Sequence, residues 1–95
     1  MNVSTVVAKV MNDFIIGMNL YEASWDNPGE VITYTLGSIK IEILDIDYCV
    51  ITFELVHPNP MYSTIYTYTD YLHGMFYRLE QEARDKSKSF IHEDW

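Results

Sequence analysis

Residues 31–55, VITYTLGSIKIEILDIDYCVITFEL, restrict the fold more than any other part of the chain, because their apolar and polar side chains alternate with a period of two. This period is typical of β-strands with one buried face. Gly37-Ser38 has the form of a two-residue type II′ turn with glycine first, and the acidic segment 45–47 marks a second turn. The stretch therefore predicts three antiparallel strands in a meander, over residues 30–36, 39–44 and 48–56.

The register of these strands follows from the requirement that one face be apolar. The turn at Gly37-Ser38 predicts these pairs between the first two strands: Leu36 with Ile39, Tyr34 with Ile41 and Ile32 with Ile43. A three-residue loop at 45–47 predicts these pairs between the second and third strands: Ile43 with Cys49, Ile41 with Ile51 and Ile39 with Phe53. A two-residue loop would place Glu54 on the apolar face, since a slip of one residue moves every side chain to the other face. We therefore expect the three-residue loop.

The two faces of the predicted sheet differ in character. The core face carries apolar residues: Ile32, Tyr34, Leu36, Ile39, Ile41, Ile43, Cys49, Ile51, Phe53 and Leu55. The outer face is more polar: Val31, Thr33, Thr35, Lys40, Glu42, Leu44, Tyr48, Val50, Thr52 and Glu54. It can meet water, apart from a small apolar patch of Val31, Leu44, Tyr48 and Val50. We expect helices to cover the core face only.

Helical periodicity appears on both sides of the strands. Apolar residues within 3–18 recur at helical spacing and predict an amphipathic N-terminal helix. Residues 22–30 are rich in turn-forming side chains and predict a loop. A second periodic stretch predicts a long C-terminal helix from about Thr67 to Lys86, which Thr67 and Asp70 begin as a capping-box pair.

Residues 61–67, MYSTIYT, alternate weakly, and they are either a short fourth strand, which is favoured, or an irregular lead-in to the helix. The expected fold is α+β. It has an N-terminal helix, a three-stranded antiparallel meander that residues 61–67 would make four-stranded, and a long C-terminal helix, with both helices on one sheet face. Residues 1–95 form a single domain, in which residues 88–95 are either a mobile tail or a segment that docks back.

Charge indicates the class of partner. The 95 residues include 14 acidic and 6 basic ones, which gives a formal net charge of −8. Such a chain repels the phosphates of nucleic acids and attracts basic proteins, so we expect no direct DNA or RNA binding. The single cysteine predicts no internal disulfide. No apolar run reaches the ~20 residues of a membrane helix, so we expect no membrane association and a cytoplasmic location.

The side chains that commonly perform catalysis are present but not grouped. His57, His73 and His92 lack the spacing of a metal-binding motif. Cys49 falls on the predicted core face, where a thiol behaves as a small apolar side chain. The paired acids of the 45–47 loop are explained by turn formation. We therefore predict that the protein is not an enzyme and has no catalytic residues, no cofactor and no metal site.

The sequence instead points to a surface for a protein partner. The predicted partner-binding residues are acidic and tyrosine side chains: Glu42, Asp45, Asp47, Glu54 and Tyr48 on the outer face or at the hairpin end, and Tyr62, Tyr66 and Tyr77 from the tyrosine-rich residues 61–77. Tyrosine supplies flat amphipathic contact area of the kind that dominates interfaces. Acids interleaved with aromatic rings can imitate the phosphates and bases of a nucleic acid.

Two hypotheses about function follow. The first is a small acidic inhibitor that occludes the basic nucleic-acid-binding site of a partner protein. In size and charge only, the chain is similar to the small acidic proteins that bacteriophages make against host nucleases, CRISPR effectors or transcription factors, which act in the host cytoplasm. The second is a homo-oligomeric structural or regulatory subunit without catalytic activity. Such a subunit, for instance a homodimer, would self-associate through the outer-face patch or a strand edge.

Overall fold

The computed structural model describes residues 3–90 as an α+β fold with a four-stranded antiparallel sheet, in the order β1-β2-β3-β4. In chain order the elements are α1 (Val3–Asp13), β1 (Asn19–Ala23), β2 (Val31–Asp45), β3 (Tyr48–Val56), a 3₁₀ turn (Pro60–Tyr62), β4 (Thr64–Thr67), α2 (Tyr68–Leu72) and α3 (Glu80–Lys88). The predicted fold class is confirmed. The fourth strand is present as well, over residues 64–67.

The turn predicted at Gly37-Ser38 is wrong, because β2 continues through both residues. In the ladder with β3, Leu36 pairs with Leu55 and Ser38 pairs with Glu54, so Gly37 is the extra residue of a β-bulge. A Cβ at Gly37 would lie 2.7 Å from Glu54 Oε1 and 2.7 Å from Val56 Cγ2, so a side chain there would have to displace both neighbours.

The missing partner for the first half of β2 comes from an earlier segment. β1, which the sequence did not predict, pairs along residues 31–35, for example Tyr21 with Thr33. Residues 22 and 23, expected in a loop, belong to this strand. The pairs predicted between residues 30–36 and 39–44 therefore do not form, since a long-range ladder occupies that side of β2.

The predicted register between β2 and β3 is confirmed. Its pairs include those expected for the isoleucines: Ile39 with Phe53, Ile41 with Ile51 and Ile43 with Cys49. The predicted three-residue loop at 45–47 is wrong, because Asp45 pairs with Tyr48; an irregularity of the ladder at Leu44 keeps the isoleucines on the core face instead. The loop itself is shortened to Ile46-Asp47.

Three phenylalanine rings form the centre of the core. Phe14, after α1, lies 4.5 Å from Phe53 of β3, and Phe53 lies 5.8 Å from Phe76, measured between ring centroids. All three side chains are buried. The alternation therefore identified the core face, but burial stops short of the hairpin end, where Ile43 is 66% exposed.

α1 and α2 both pack on this face, as predicted, because Val10, Phe14 and Tyr68 belong to the core cluster. α1 is shorter than predicted and ends at Asp13. Its continuation leaves the helix to reach β1: Gly17 adopts a φ of 92° and donates its N–H to the Leu36 carbonyl at 2.8 Å. Ile15, expected on the buried stripe, is consequently exposed.

The single long C-terminal helix predicted from Thr67 to Lys86 is wrong, because it is divided into α2 and α3. The expected capping box begins α2, with hydrogen bonds in both directions between Thr67 and Asp70. The chain then turns at Gly74, which has a φ of 77°. Beyond it, Tyr77 and Tyr21 exchange backbone hydrogen bonds at 2.9 and 2.7 Å. The N–H and C=O of Tyr77 are thus bonded to β1 and are not available for the hydrogen bonds of a continuous helix.

α3 packs beside β1 and the turn that follows it. The Ser87 hydroxyl donates to the Ser24 carbonyl at 2.7 Å and accepts from the Gly29 N–H at 3.0 Å. The ring of Phe90 lies 4.7 Å from that of Trp25. Residues 88–90 of the predicted tail therefore dock back, while residues 91–95 lie outside the described part. No helix within residues 3–90 is long and apolar enough to cross a membrane.

We expect Phe53→Ala to lower the free energy of unfolding by about 3–5 kcal/mol, since it empties the centre of the core. Ile43→Ala is the matched control, because Ile43 lies on the same sheet face but is mostly exposed, and we expect a loss below about 1 kcal/mol. Urea unfolding of the two variants measures both values. Equal losses would show that the core extends to the hairpin end.

Candidate binding surface at the hairpin tip

The eight predicted partner-binding residues do not form one surface. Three of them, Asp45, Asp47 and Tyr48, meet where β2 turns into β3, and all three are exposed. We call residues 43–48 the hairpin tip. Glu42 adjoins the tip on the outer face, whereas the other four lie elsewhere.

The hairpin tip carries exposed apolar side chains between its acids. Their exposed fractions are large: Ile43 66%, Leu44 59%, Ile46 83% and Tyr48 58%. The Asp45 carboxylate accepts the N–H of Ile46 at 2.6 Å, so it stabilises the turn that presents the isoleucine. The sequence reasoning placed Ile43 in the core and gave Ile46 no role. The signal it missed is an isoleucine set between two aspartates at a turn.

The two glutamates of the predicted site are separated along the outer face. Glu42 lies 2.9 Å from the Lys40 ammonium, an exposed pair that balances its charge locally. Glu54 pairs with Ser38 across the ladder, and Glu42 pairs with Val50. Four residues of β3 therefore separate the two carboxylates, about 13 Å at the rise of a strand. Of the four predicted acids, Asp45 and Asp47 therefore lie together at the tip, whereas Glu42 and Glu54 are separated from each other.

The three tyrosines from residues 61–77 have different environments. Tyr62 is exposed, with its ring 5.3 Å from His57 on the 3₁₀ turn after β3, at the opposite end of that strand from the tip. Tyr66 and Tyr77 are half-buried, so the expectation that they are surface residues is corrected. Tyr66 stacks on Phe76 at 5.4 Å, and the backbone of Tyr77 is bound to β1.

The outer-face apolar patch is also not assembled. Its prediction depended on a turn at Gly37-Ser38, which would have brought Val31 beside Leu44. Because β2 is one strand from Val31 to Asp45, these two residues lie at its opposite ends, about 40 Å apart at the rise of a strand. Tyr48 and Val50 remain together, but without Val31.

A concave site, not anticipated from the sequence, lies between β1, β4 and α3. This cleft of about 330 Å³ is lined by Glu22, Ala23, Trp25, Tyr66, His73, Gly74, Met75, Lys86 and Phe90. The Tyr66 hydroxyl donates a hydrogen bond to the Glu22 carboxylate. The detectable signal was the alternation of residues 20–22, which places Glu22 on the same face as Leu20.

Burial, followed by the hydrogen bond to Glu22, raises the pKa of Tyr66 well above its usual range. Burial, and then the Glu22 charge, raises the pKa of Tyr34 to about 12. Both hydroxyls therefore keep their protons at neutral pH. Lys86 already directs its ammonium over the Phe90 ring, 5.6 Å from the centroid. This cation–π contact and the hydrogen bond between Tyr66 and Glu22 organise the wall of the cleft.

Within residues 3–90, no three His, Cys, Asp or Glu side chains are grouped closely enough to hold a metal ion. Comparison of the chain with protein-family models, curated proteins and solved structures found no significant match. The interpretation of the hairpin tip therefore rests on its own geometry and charge.

We expect Tyr66→Phe to lower the free energy of unfolding at neutral pH by about 1–3 kcal/mol, because the half-buried Glu22 carboxylate loses its donor. Tyr62→Phe is the matched control and should change stability little, since Tyr62 is exposed. Urea unfolding compares the two. An equal loss in both variants would show that the hydrogen bond to Glu22 does not stabilise the fold.

The raised pKa of Tyr34 predicts a pH dependence of stability. An unfolded tyrosine ionises near pH 10.0, whereas the folded one keeps its proton until about 12. The unfolded state therefore binds fewer protons in this window, and the free energy of unfolding falls as the pH rises. In Tyr34→Phe the decline between pH 10 and 12 should be shallower than in the wild type. Parallel declines, measured by urea unfolding at stepped pH, would contradict the assignment.

Proposed function

We propose that this protein is a small acidic inhibitor whose hairpin tip enters the basic nucleic-acid-binding site of a partner protein. The observation that supports the proposal most directly is Ile46, which is 83% exposed between two aspartates. An isoleucine in this position contributes nothing to the core of its own chain. It is available to a partner.

The composition of the tip matches the anatomy of protein interfaces. Interfaces have an apolar centre that is desolvated on binding and a polar rim that stays near water. Ile43, Leu44, Ile46 and Tyr48 supply apolar and aromatic area, and the two aspartates supply the rim. Contiguous exposed apolar side chains commonly mark interaction sites.

The hairpin also presents these side chains in an ordered form. The β2–β3 ladder extends to the pair Asp45 and Tyr48, so only Ile46 and Asp47 lie outside it. A short turn with a side-chain hydrogen bond loses little conformational entropy when it binds, which favours affinity.

The net charge of the chain indicates that the partner has a basic surface. The net charge of −8 draws the chain toward basic surfaces and speeds encounter with them. Nucleic-acid-binding sites are the most basic concave surfaces of many proteins. A nuclease, a CRISPR effector or a transcription factor would each offer such a site. The two carboxylates of the tip would replace a few phosphates and not a long row of them. The proposed inhibitor therefore acts as a wedge, by which we mean that the tip inserts into the site and does not cover its whole length.

A homo-oligomeric structural or regulatory subunit is the second candidate. The outer-face patch that suggested it is divided, but the unpaired side of β2 favours self-association on separate grounds.

The experiment begins with affinity capture from a cell extract, identification of the bound proteins by mass, and purification of the basic one. We expect Asp45→Asn with Asp47→Asn to slow its association about tenfold or more at low salt, because steering acts on encounter. The asparagine at position 45 keeps an oxygen that can accept the N–H of Ile46. Asp26→Asn with Glu30→Gln is the matched control, since it removes the same charge from the turn before β2.

Two further measurements separate the wedge from general electrostatic attraction. Ile46→Ser should speed dissociation without slowing association, because it removes buried area and not charge. DNA or RNA should compete with the inhibitor for the partner. Equal effects of the two charge-neutralised variants, or a stable ternary complex with nucleic acid in the same site, would reject the proposal.

A further inference from the structure

We propose that two copies of this chain pair through residues 38–44 of β2, which gives a symmetric dimer with one sheet continuous across both copies. The proposal starts from the length of β2. β1 covers only residues 31–35 of it, and Gly17 and Met18 occupy the next position, at Leu36. Within residues 3–90, no strand pairs with residues 38–44 on the side opposite β3.

The outward direction of the backbone groups on this edge follows from the ladder. Leu36 donates its N–H to the Met18 carbonyl, so it makes no bond to its β3 partner, Leu55. In an antiparallel ladder such unbonded pairs alternate with bonded ones. Phe53, two residues before Leu55, therefore also directs its backbone away from β2.

The β2 residues that pair with these β3 residues also direct their backbone groups away from the β2–β3 ladder. Ile39 pairs with Phe53, and Ile41 and Ile43 follow at the same spacing. All three direct an N–H and a C=O away from β3, toward the unpaired side. An open edge of this kind is a template for another strand.

The sequence of the edge is complementary to itself. When a second copy pairs antiparallel about a two-fold axis through Ile41, Lys40 lies opposite Glu42 of the second copy, and the reverse contact repeats it. Ile39 lies opposite Ile43 of the second copy in the same way. Lys40 and Glu42 occupy the unbonded pairs, whose side chains approach most closely. Opposite charges at such positions stabilise a ladder.

Charge also excludes the neighbouring registers. A two-fold axis through Lys40 places two lysines opposite each other, and an axis through Glu42 does the same with two glutamates, which destabilises the ladder. Lys40 and Glu42 already lie 2.9 Å apart within one chain. The register centred on Ile41 therefore produces a group of four alternating charges on the outer face.

The same register accounts for apolar surface that the single chain leaves exposed. Ile43 is 66% exposed, and it would gain an isoleucine neighbour from the second copy on the core face. A second copy of this chain thus fits the edge in charge and in apolar contact.

Sedimentation velocity over a range of concentrations tests the proposal. The wild type should form dimers. Lys40→Glu and Glu42→Lys should each raise the dissociation constant about tenfold or more, because each variant creates two like-charge pairs. An equimolar mixture of the two variants should associate again, since every glutamate of one chain then faces a lysine of the other. Lys88→Glu, which makes the same charge change on exposed α3, should dimerise as the wild type does.

Circular dichroism and urea unfolding check the fold of the variants, and we expect both to be folded because both side chains are exposed. A wild type that is monomeric at every concentration overturns the proposal. So does a mixture that associates no more than either variant alone, because that result assigns any dimer to a different surface.

Discussion

The ladder between β2 and β3 is the interaction on which the rest of this structure depends. It contains more pairs than the other two ladders, and it carries the isoleucines against Phe53 and its neighbours. β1 extends it on one side and β4 on the other. The helices add to a sheet whose faces this ladder has already defined, because a shift of one residue would exchange the core and outer faces along both strands.

The β-bulge at Gly37 shows how this ladder overrides local turn chemistry. Gly-Ser between alternating strands is a strong hairpin pattern when only neighbouring residues are considered. In the fold, residues 31–35 find a better partner in β1, and continuing the strand keeps Leu36 and Ile39 on the same face. The glycine then serves to absorb one residue and to admit the Glu54 side chain beside it. Periodicity within the sequence cannot choose between these outcomes, because the competing strand lies outside the stretch that is read.

The parts of the site that could be predicted depend on neighbouring strands, and the parts that could not depend on segments far apart in the sequence. Asp45, Asp47 and Tyr48 follow directly from the register, so the sequence placed them correctly at one hairpin end. Tyr66 was misjudged, because its burial depends on Glu22 and Phe76, which come from distant segments.

The C-terminal helix was misjudged for a related reason. Its apolar spacing is helical, but Tyr77 finds a backbone partner on the edge of β1. Properties that depend on one strand pair are accessible from sequence. Those that depend on the meeting of separate elements are not.

The two proposals share the hairpin tip, and this sharing links them. In the proposed dimer, Ile43 of each copy lies opposite Ile39 of the other, whereas in the proposed inhibitor complex the hairpin tip that carries Ile43 enters the partner. One side chain cannot be buried in both places, so partner binding and self-association oppose each other, and by linkage each weakens the other equally. In these two proposals Lys40 and Glu42 act in the dimer, and the tip aspartates act mainly in the encounter with a basic partner. Dimerisation would therefore lower the concentration of free hairpin tips, and a basic partner would shift the equilibrium toward the monomer.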